Sequence, residues 1–330
     1  MSNQNYLLRP YDDGLRSILE KGFDIDGDRT GVGTRCFFGI NTEYDISERI
    51  PLLTKRKLAW KSIVKEVLWY ISGSNNIDDL EATGSKIWTA WKNKDFESRH
   101  NLSEGSGGAI YGFNLIHFGA DLDQYEASRQ AIKNHKELGL QVDKSFIEEL
   151  DLLYPKRSGF NQIDYVINTL KNNPKSRQAC FTFWRPDTNN KAILPACHAF
   201  YSFNVSPDKN GELKVLNCHM FQRSNDWFIG VGCGNLLTGS VFTYMIAQQL
   251  GMKPGKLYHT GSNCHIYHNQ LVSTGQYELD PVREYLSREE EPDSPKLILN
   301  KRDSIYDYTI EDFNIIDYNP LAAIKVPIAV

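Results

Sequence analysis

The chain has 330 residues, of which 41% are hydrophobic, 12% aromatic and 24% charged. That composition excludes a disordered chain, a collagen-like repeat and a coiled-coil fibre, and the length suits one large α/β body or two modest ones. Its 37 basic and 41 acidic side chains leave a net charge of −4, the wrong sign for tracking a polynucleotide backbone, so any anionic partner is expected to be small and held by a few placed arginines.

The first residues, MSNQNYLLRPYDDG, lack the basic and apolar regions of a secretory signal, and the expected compartment is the cytoplasm. No uninterrupted apolar run approaches the roughly 20 residues of a membrane helix. Residues 10–22 predict a short helix ending at Gly22. Glycines and an Asp-Gly follow as turn signals, then a strand through Arg35–Ile46. Residues 56–72 predict a helix, because Trp60, Ile63, Val64, Val67, Leu68 and Ile71 recur at helical spacing. Its end, residues 67–71, is apolar all round and therefore expected to be deeply buried. Residues 101–112 are glycine-rich and read as a loop. Residues 120–158 are charged and helix-prone with few apolar anchors, which predicts a peripheral helical insertion. An amphipathic helix is predicted over 161–173, stopped by Pro174. Strands are predicted at 178–184, 198–206 and 213–222, then a mostly apolar helix over 235–250 stopped by Gly251. Residues 256–270 read as a strand running into a helix, and 295–330 hold short strands. The simplest account is a single α+β domain over 1–330 carrying the 120–158 insertion.

Chemistry concentrates in a few places. In Leu194-Pro195-Ala196-Cys197-His198-Ala199-Phe200 a cysteine opens a strand with a histidine beside it. Cys197-His198, Cys218-His219 and Cys264-His265 tempt a zinc reading, but strand neighbours point to opposite faces, so no pair chelates one ion and no metal is expected. Six cysteines without a CxxC pair read as free thiols. A lone cysteine is more often a small buried hydrophobe; a reactive one needs a cation that favours the thiolate. Arginines supply candidates at Asp28-Arg29-Thr30, Ser176-Arg177-Gln178 and Gln222-Arg223-Ser224-Asn225-Asp226. Singly each reads as a surface ion-pair partner, and together they suit a small phosphate ester. Glu66 sits at the edge of the apolar helix end, where desolvation raises a carboxyl toward proton-transfer range; the plainer reading is an exposed helical glutamate. Trp88 and Trp91, three apart, are either core packing or a platform for a flat heterocycle.

These pieces, in this order, resemble the thymidylate synthase family. The likeness runs from about Arg29 to Val330. It is carried by DRTGVGTRCFFG, LWYISGSNNI, KIWTAW, AIYG, LPACHAF, FQRSNDWFIGV, MIAQQLGMKPG, HIYHNQ and YNPLAAIKVPIAV, and residues 120–158 take no part in it. The resemblance implies an α/β subunit around a large mixed sheet flanked by helices. It implies a homodimer, and transfer of a one-carbon unit from 5,10-methylenetetrahydrofolate, the co-substrate, to C5 of dUMP. It implies that Cys197 is the nucleophile at C6. Glu66 and Tyr111 manage protons through water, with His198 nearby. Arg29, Gln222, Arg223 and Ser224 hold the nucleotide, with Arg177 arriving from the partner subunit. Asn235 reads the uracil edge, and His265 and Tyr267 bind the 3′-hydroxyl. Asp226 faces the pterin, Trp88 and Trp91 line the folate site, and Val330 closes over the ligands.

The chain also departs from the family. Gln178 stands where a second arginine is usual. Asn114-Leu115-Ile116 replaces Gln-Trp-Arg after Tyr111-Gly112-Phe113. Gly232-Cys233-Gly234 replaces Pro-Phe and is one residue longer. Asn263-Cys264 replaces Asp-Ala. This pattern most resembles the viral dUMP hydroxymethylases, which share the covalent attack but add water to the C5 methylene where a synthase adds hydride. The expected product is therefore 5-hydroxymethyl-dUMP, with thymidylate as the alternative. A virus would place the enzyme in its host's cytoplasm. A fold that binds nucleotide without chemistry is disfavoured by the intact Cys197, Glu66, Tyr111, Arg223 and Asn235. Action on polymeric DNA is disfavoured by the net charge of −4 and by the lack of a basic aromatic groove.

Overall fold

The computed structural model describes residues 6–27, 30–289 and 295–329. In chain order the elements are α1 (Arg9–Lys21), β1 (Phe23–Ile25), β2 (Thr34–Asp45), α2 (Trp60–Ile71), α3 (Ile77–Ala82), α4 (Lys94–Arg99), α5 (Tyr111–Ile116), α6 (Leu122–Glu137), α7 (Lys144–Leu153), α8 (Gln162–Asn172), β3 (Cys180–Thr182), β4 (His198–Pro207) and β5 (Leu213–Asp226). A π-helix (Trp227–Asn235) runs directly into α9 (Leu236–Gln249), followed by β6 (Lys253–Tyr267), α10 (Pro281–Ser287), β7 (Lys296–Leu299) and β8 (Phe313–Ile316). The fold is mixed α/β. Its main sheet has six strands in the order β1-β2-β6-β5-β4-β3, and β7 and β8 form a separate pair. The chain divides into two compact units, Met1–Val67 with Ile167–Cys180 and Cys197–Val330, and Leu68–Val166 with Phe181–Ala196.

The first unit is built around the sheet. In β2 the side chains alternate between burial and exposure over much of its length, as a strand covered on one face requires. β5 and β6 run parallel, with Ser224 beside Asn263, Asn225 beside Cys264 and Asp226 beside His265. Parallel neighbours need a long crossover, and the 23 residues Trp227–Gln249 provide it. That helical stretch is long and apolar enough to cross a membrane, yet 72% of its most apolar window is buried inside the protein. It is a core helix, which explains why it is apolar on every side. The helix predicted over 235–250 is α9 (Leu236–Gln249), and the π-helix ahead of it opens where the Asp226 carboxylate accepts from the Ile229 N–H.

Gly232-Cys233-Gly234 lies within the π-helix, whose turns hold one more residue than those of an α-helix. Three contacts fix the stretch. A Cβ on Gly232 would lie 2.2 Å from the Tyr11 hydroxyl, and one on Gly234 would lie 3.0 Å from Ile63. Cys233 Sγ accepts from Arg56 Nη2 at 2.9 Å. Deeper still, Lys55 Nζ and Asp12 Oδ2 pair at 2.8 Å with both side chains 1% exposed.

The second unit is organised by aromatic rings. Tyr70 stacks on Tyr111 at 4.8 Å between centroids, and Phe183 meets Tyr111 edge-on at 5.1 Å. Trp88 approaches Trp69 at 5.6 Å and Tyr111 at 5.8 Å. The glycine-rich stretch 101–110 is held by buried Glu126, which accepts from Asn75 Nδ2, Ser103 Oγ and Ser106 Oγ. Residues 120–158 contain α6 and α7, each opened by an aspartate cap, Asp121 and Asp143. Leu138 and Leu152 on this stretch are 76% and 84% exposed.

Candidate active site

The nucleophile candidate opens β4. A register irregularity between His198 and Phe200 interrupts the pairing of β4 with β5, and such bulges re-aim side chains. Beside it the Arg223 N–H donates to the Cys197 carbonyl at 3.1 Å. The Arg223 guanidinium lies 3.9 Å from Cys197 Sγ. A cation at that distance favours the thiolate over the thiol. By contrast, burial pushes the Cys218 and Cys264 thiols up to about 12, which leaves them protonated and inert.

Behind Cys197, His198 is buried, and its Nδ1 meets the Tyr201 hydroxyl at 2.7 Å. Burial lowers its pKa to about 4, against the hydrogen bond it shares with Asn235. His198 is therefore neutral near pH 7. It is a hydrogen-bonding partner of the base-reading candidate and not a cationic acid. Asn235 stands at the junction of the π-helix and α9.

The carboxyl ends of the parallel strands β5 and β6 gather the remaining polar groups of this unit, the usual location of ligand sites in open α/β sheets. Gln222 is fully buried and its Oε1 meets His259 Nε2 at 2.7 Å. His259 is pushed down to about 3 by burial and is neutral, so it donates to that oxygen. Asn225 Nδ2 donates to the carbonyls of Gln222 and Asn263. His265 Nδ1 lies 2.9 Å from Asn263 Oδ1, and its ring meets Tyr267 edge-on at 5.1 Å. Since that amide oxygen only accepts, His265 carries a proton on Nδ1. Asp226 accepts from Ile229 N at 3.0 Å and from Gln270 Nε2 at 2.8 Å. Burial raises its carboxyl, opposed by His265, these two hydrogen bonds and Arg56.

The first unit thus brings together Cys197, His198, Gln222, Arg223, Ser224, Asp226, Asn235, His265 and Tyr267 on adjoining strands and the crossover helix. Glu66 belongs to it as well, half-buried on α2. Arg177 is exposed in the loop between α8 and β3, and its side chain makes no salt bridge among the described residues. Tyr111, Trp88 and Trp91 belong to the second unit. There Trp88 is 5% exposed and Trp91 follows through one 3₁₀ turn, the rings 5.7 Å apart. Arg29 and Val330 lie outside the described residues. Among the described residues no group of three or more His, Cys, Asp or Glu side chains is arranged to hold a metal ion.

Sequence reading did not single out Arg56, Asn225, His259 or Gln270, although Gln270 closes the quoted HIYHNQ motif. No spacing marked Arg56; only its burial in the fold does, since arginine is almost never fully buried unless paired.

Residues 9–330 match the thymidylate synthase family. Human thymidylate synthase is 36% identical over 320 residues, an alignment that covers 96% of this chain and 88% of the human protein. With the strand-end constellation around Cys197, this places the chain in the thymidylate synthase family, whose members are one-carbon transferases using methylenetetrahydrofolate as co-substrate.

Proposed function

We propose that this enzyme transfers the one-carbon unit of 5,10-methylenetetrahydrofolate to C5 of dUMP through a covalent bond between Cys197 and C6. The observation that carries this reading is Arg223, which bonds the Cys197 carbonyl through its backbone and sets its guanidinium 3.9 Å from the sulfur. One residue thereby positions the nucleophile through its backbone and favours its thiolate through its side chain. Addition of that thiolate to C6 places the electron pair on C5 and O4, and C5 then forms the new carbon–carbon bond. The C5 proton leaves to a base, for which Tyr111 and Glu66 are proposed with water as relay. The pair left by that proton expels the folate nitrogen to give a C5 methylene, hydride from the folate adds to that methylene, and the electron pair returned to C5 expels the thiolate from C6, which completes turnover. Asn235 reads the uracil edge, His265 and Tyr267 bind the 3′-hydroxyl, and Arg29, Gln222, Arg223, Ser224 and a partner's Arg177 hold the nucleotide. The folate supplies the carbon and a hydride. Its pterin, a donor-bearing ring, suits the acceptor carboxylate of Asp226, with Trp88, Trp91 and Val330 proposed beside it.

The product we propose is thymidylate. The departures that suggested hydroxymethylation have internal partners. Asn114 Nδ2 donates to the carbonyls of Ala109 and Phe183, and Leu115 is fully buried. Gly232, Cys233 and Gly234 pack on Tyr11, Arg56 and Ile63. These residues support core packing, which weakens the argument that they open the reacting carbon to water. Hydroxymethylation, as in a virus with modified bases, keeps one observation in its favour: Leu115-Ile116 removes the bulk and charge of Trp-Arg. Incubation with dUMP and methylenetetrahydrofolate, with the nucleotide identified by mass, separates the two. Thymidylate with stoichiometric dihydrofolate is expected. A hydroxymethyl product with little dihydrofolate overturns this choice while leaving the covalent mechanism standing. Equal turnover of dCMP would overturn the assignment of Asn235.

A cytoplasmic homodimer belongs to the same proposal. The sheet packs one face on α1 and α9, while Phe38 and Phe200 on β2 and β4 remain 77% and 41% exposed. A second copy seated on the sheet is the occupant consistent with an Arg177 donated in trans. Light scattering at micromolar concentration tests it, and a monomer with full activity would exclude it.

A further inference from the structure

Gln270 stands just past β6, in the turn His268–Leu271, and is fully buried. Its Nε2 donates to Asp226 Oδ2 at 2.8 Å, while the Ile229 N–H holds Oδ1 at 3.0 Å. The carboxylate is therefore gripped on both oxygens, once by the backbone and once by a single side chain. The Gln270 Oε1 atom is also buried and has no donor among the described protein atoms. An amide whose oxygen goes unmatched is a poor filler for a core, where an apolar group of the same shape would cost less. Its placement makes sense if the amide N–H is what the site needs.

We infer that Gln270 is a positioning residue for the folate co-substrate: it fixes the Asp226 carboxylate in the orientation and charge state that the co-substrate meets. The inference rests on the proposed role of Asp226. Four further groups interact electrostatically with that carboxylate from the elements packed on it: Tyr11 on α1, Arg56 before α2, Cys233 on the π-helix and His265 on β6. Of these His265 and Arg56 oppose the upward push of burial, as Gln270 does. Loss of the Gln270 donor therefore lets the carboxyl rise, and a larger share is protonated at a given pH.

The test uses the full-length enzyme with Gln270→Met, which keeps the volume and removes the donor, and Gln270→Glu, which keeps the shape and sets a second carboxyl beside the first. For Gln270→Met the expected result is a roughly tenfold rise in KM for methylenetetrahydrofolate, as the loss of a charge-assisted hydrogen bond implies. The dissociation constant for dUMP should stay within about twofold, since only the co-substrate end is disturbed. The acid limb of kcat/KM for the co-substrate should move to higher pH in Gln270→Met, and further in Gln270→Glu. Equal changes in both substrates' constants with an unmoved pH profile would overturn the inference and leave Gln270 a structural residue. Asp226→Asn is the control. If it leaves the co-substrate KM unchanged, the reading of Asp226 has failed. If it raises that KM while both Gln270 variants behave as wild type, only the present inference has failed.

Discussion

The carboxyl end of β5 and the outer part of residues 120–158 solve the burial of polar groups in opposite ways. From Gln222 to Asp226, polar side chains are held by partners distant in sequence: His259 for Gln222, the Asn263 carbonyl for Asn225, Gln270 for Asp226. In the insertion, Asp143 caps its own helix at Phe146, His135 stacks on nearby Phe146, and Lys144 pairs with Glu148 one turn on. Local contacts of that kind make a helix but bring no distant groups together, and they leave Leu138 and Leu152 in solvent. The long-range contacts of β5 do the reverse. They hold groups at fixed distances in a low-dielectric setting, where each electrostatic interaction is stronger and each lost partner more costly. The proposed chemistry gathers where the fold has constrained polar groups most.

That contrast can be tested, beginning with the largest effect. Cys197→Ala should lower turnover by at least about 1,000-fold and abolish release of tritium from C5 of labelled dUMP. Binding of dUMP should largely persist, because the phosphate and base contacts remain. Retained tritium release would show that another group attacks C6.

Stability should follow the same division. Asp12→Ala strands Lys55 at 1% exposure, and breaking such a buried pair costs about 3–5 kcal/mol. Urea denaturation measures the loss. Lys144→Ala, which removes a pair exposed at 90% and 64%, should leave the midpoint unmoved. Equal effects in the two variants would erase the distinction between the regions.

Acid should loosen the first unit through its neutral histidines. His198 and His259 have folded-state pKa values of about 4 and about 3 against an ordinary 6.5, mainly because of burial. The unfolded chain takes up these protons first as pH falls. Stability from these groups is therefore whole above about pH 6.5 and declines toward pH 4, by on the order of a few kcal/mol. His117 in the second unit, at about 4, acts in the same direction. Asp12 and Asp226, whose carboxyls burial raises above the ordinary 3.8, act oppositely as pH falls toward that value. Thermal melts of His259→Gln against wild type should show a shallower loss between pH 6.5 and 5. An unchanged slope would mean that His259 does not carry it.

The smallest effect belongs to the insertion. Leu152→Glu with Leu153→Glu, at side chains 84% and 61% exposed, should alter stability by no more than about 0.5 kcal/mol and leave both substrates' constants unchanged. A large change in activity would show that residues 120–158 contribute to the site.

Much of this was legible in the sequence because it depends on near neighbours. Apolar spacing predicted α2 and α8, and turn residues bounded the strands. LPACHAF, FQRSNDW and HIYHNQ marked the candidate functional segments because their residue types stand adjacent in the chain. The helix predicted over 235–250 is α9, but the π-helix ahead of it was not foreseen, since its glycines discourage an α-helix and are accommodated in a π-helix capped by Asp226. The partners of the functional side chains were not legible at all. Nothing in the spacing joins Arg56 to Cys233, 177 positions apart, or Asp226 to Gln270, 44 apart. Those pairings exist because parallel β5 and β6 lie side by side and the crossover helix packs on α1, and a polar group enclosed there takes whichever partner the fold delivers. Residue type and order determined the family and its chemistry. Tertiary structure alone decided which histidines are neutral and which side chain grips the Asp226 carboxylate, because burial and long-range hydrogen bonds are properties of the packed chain.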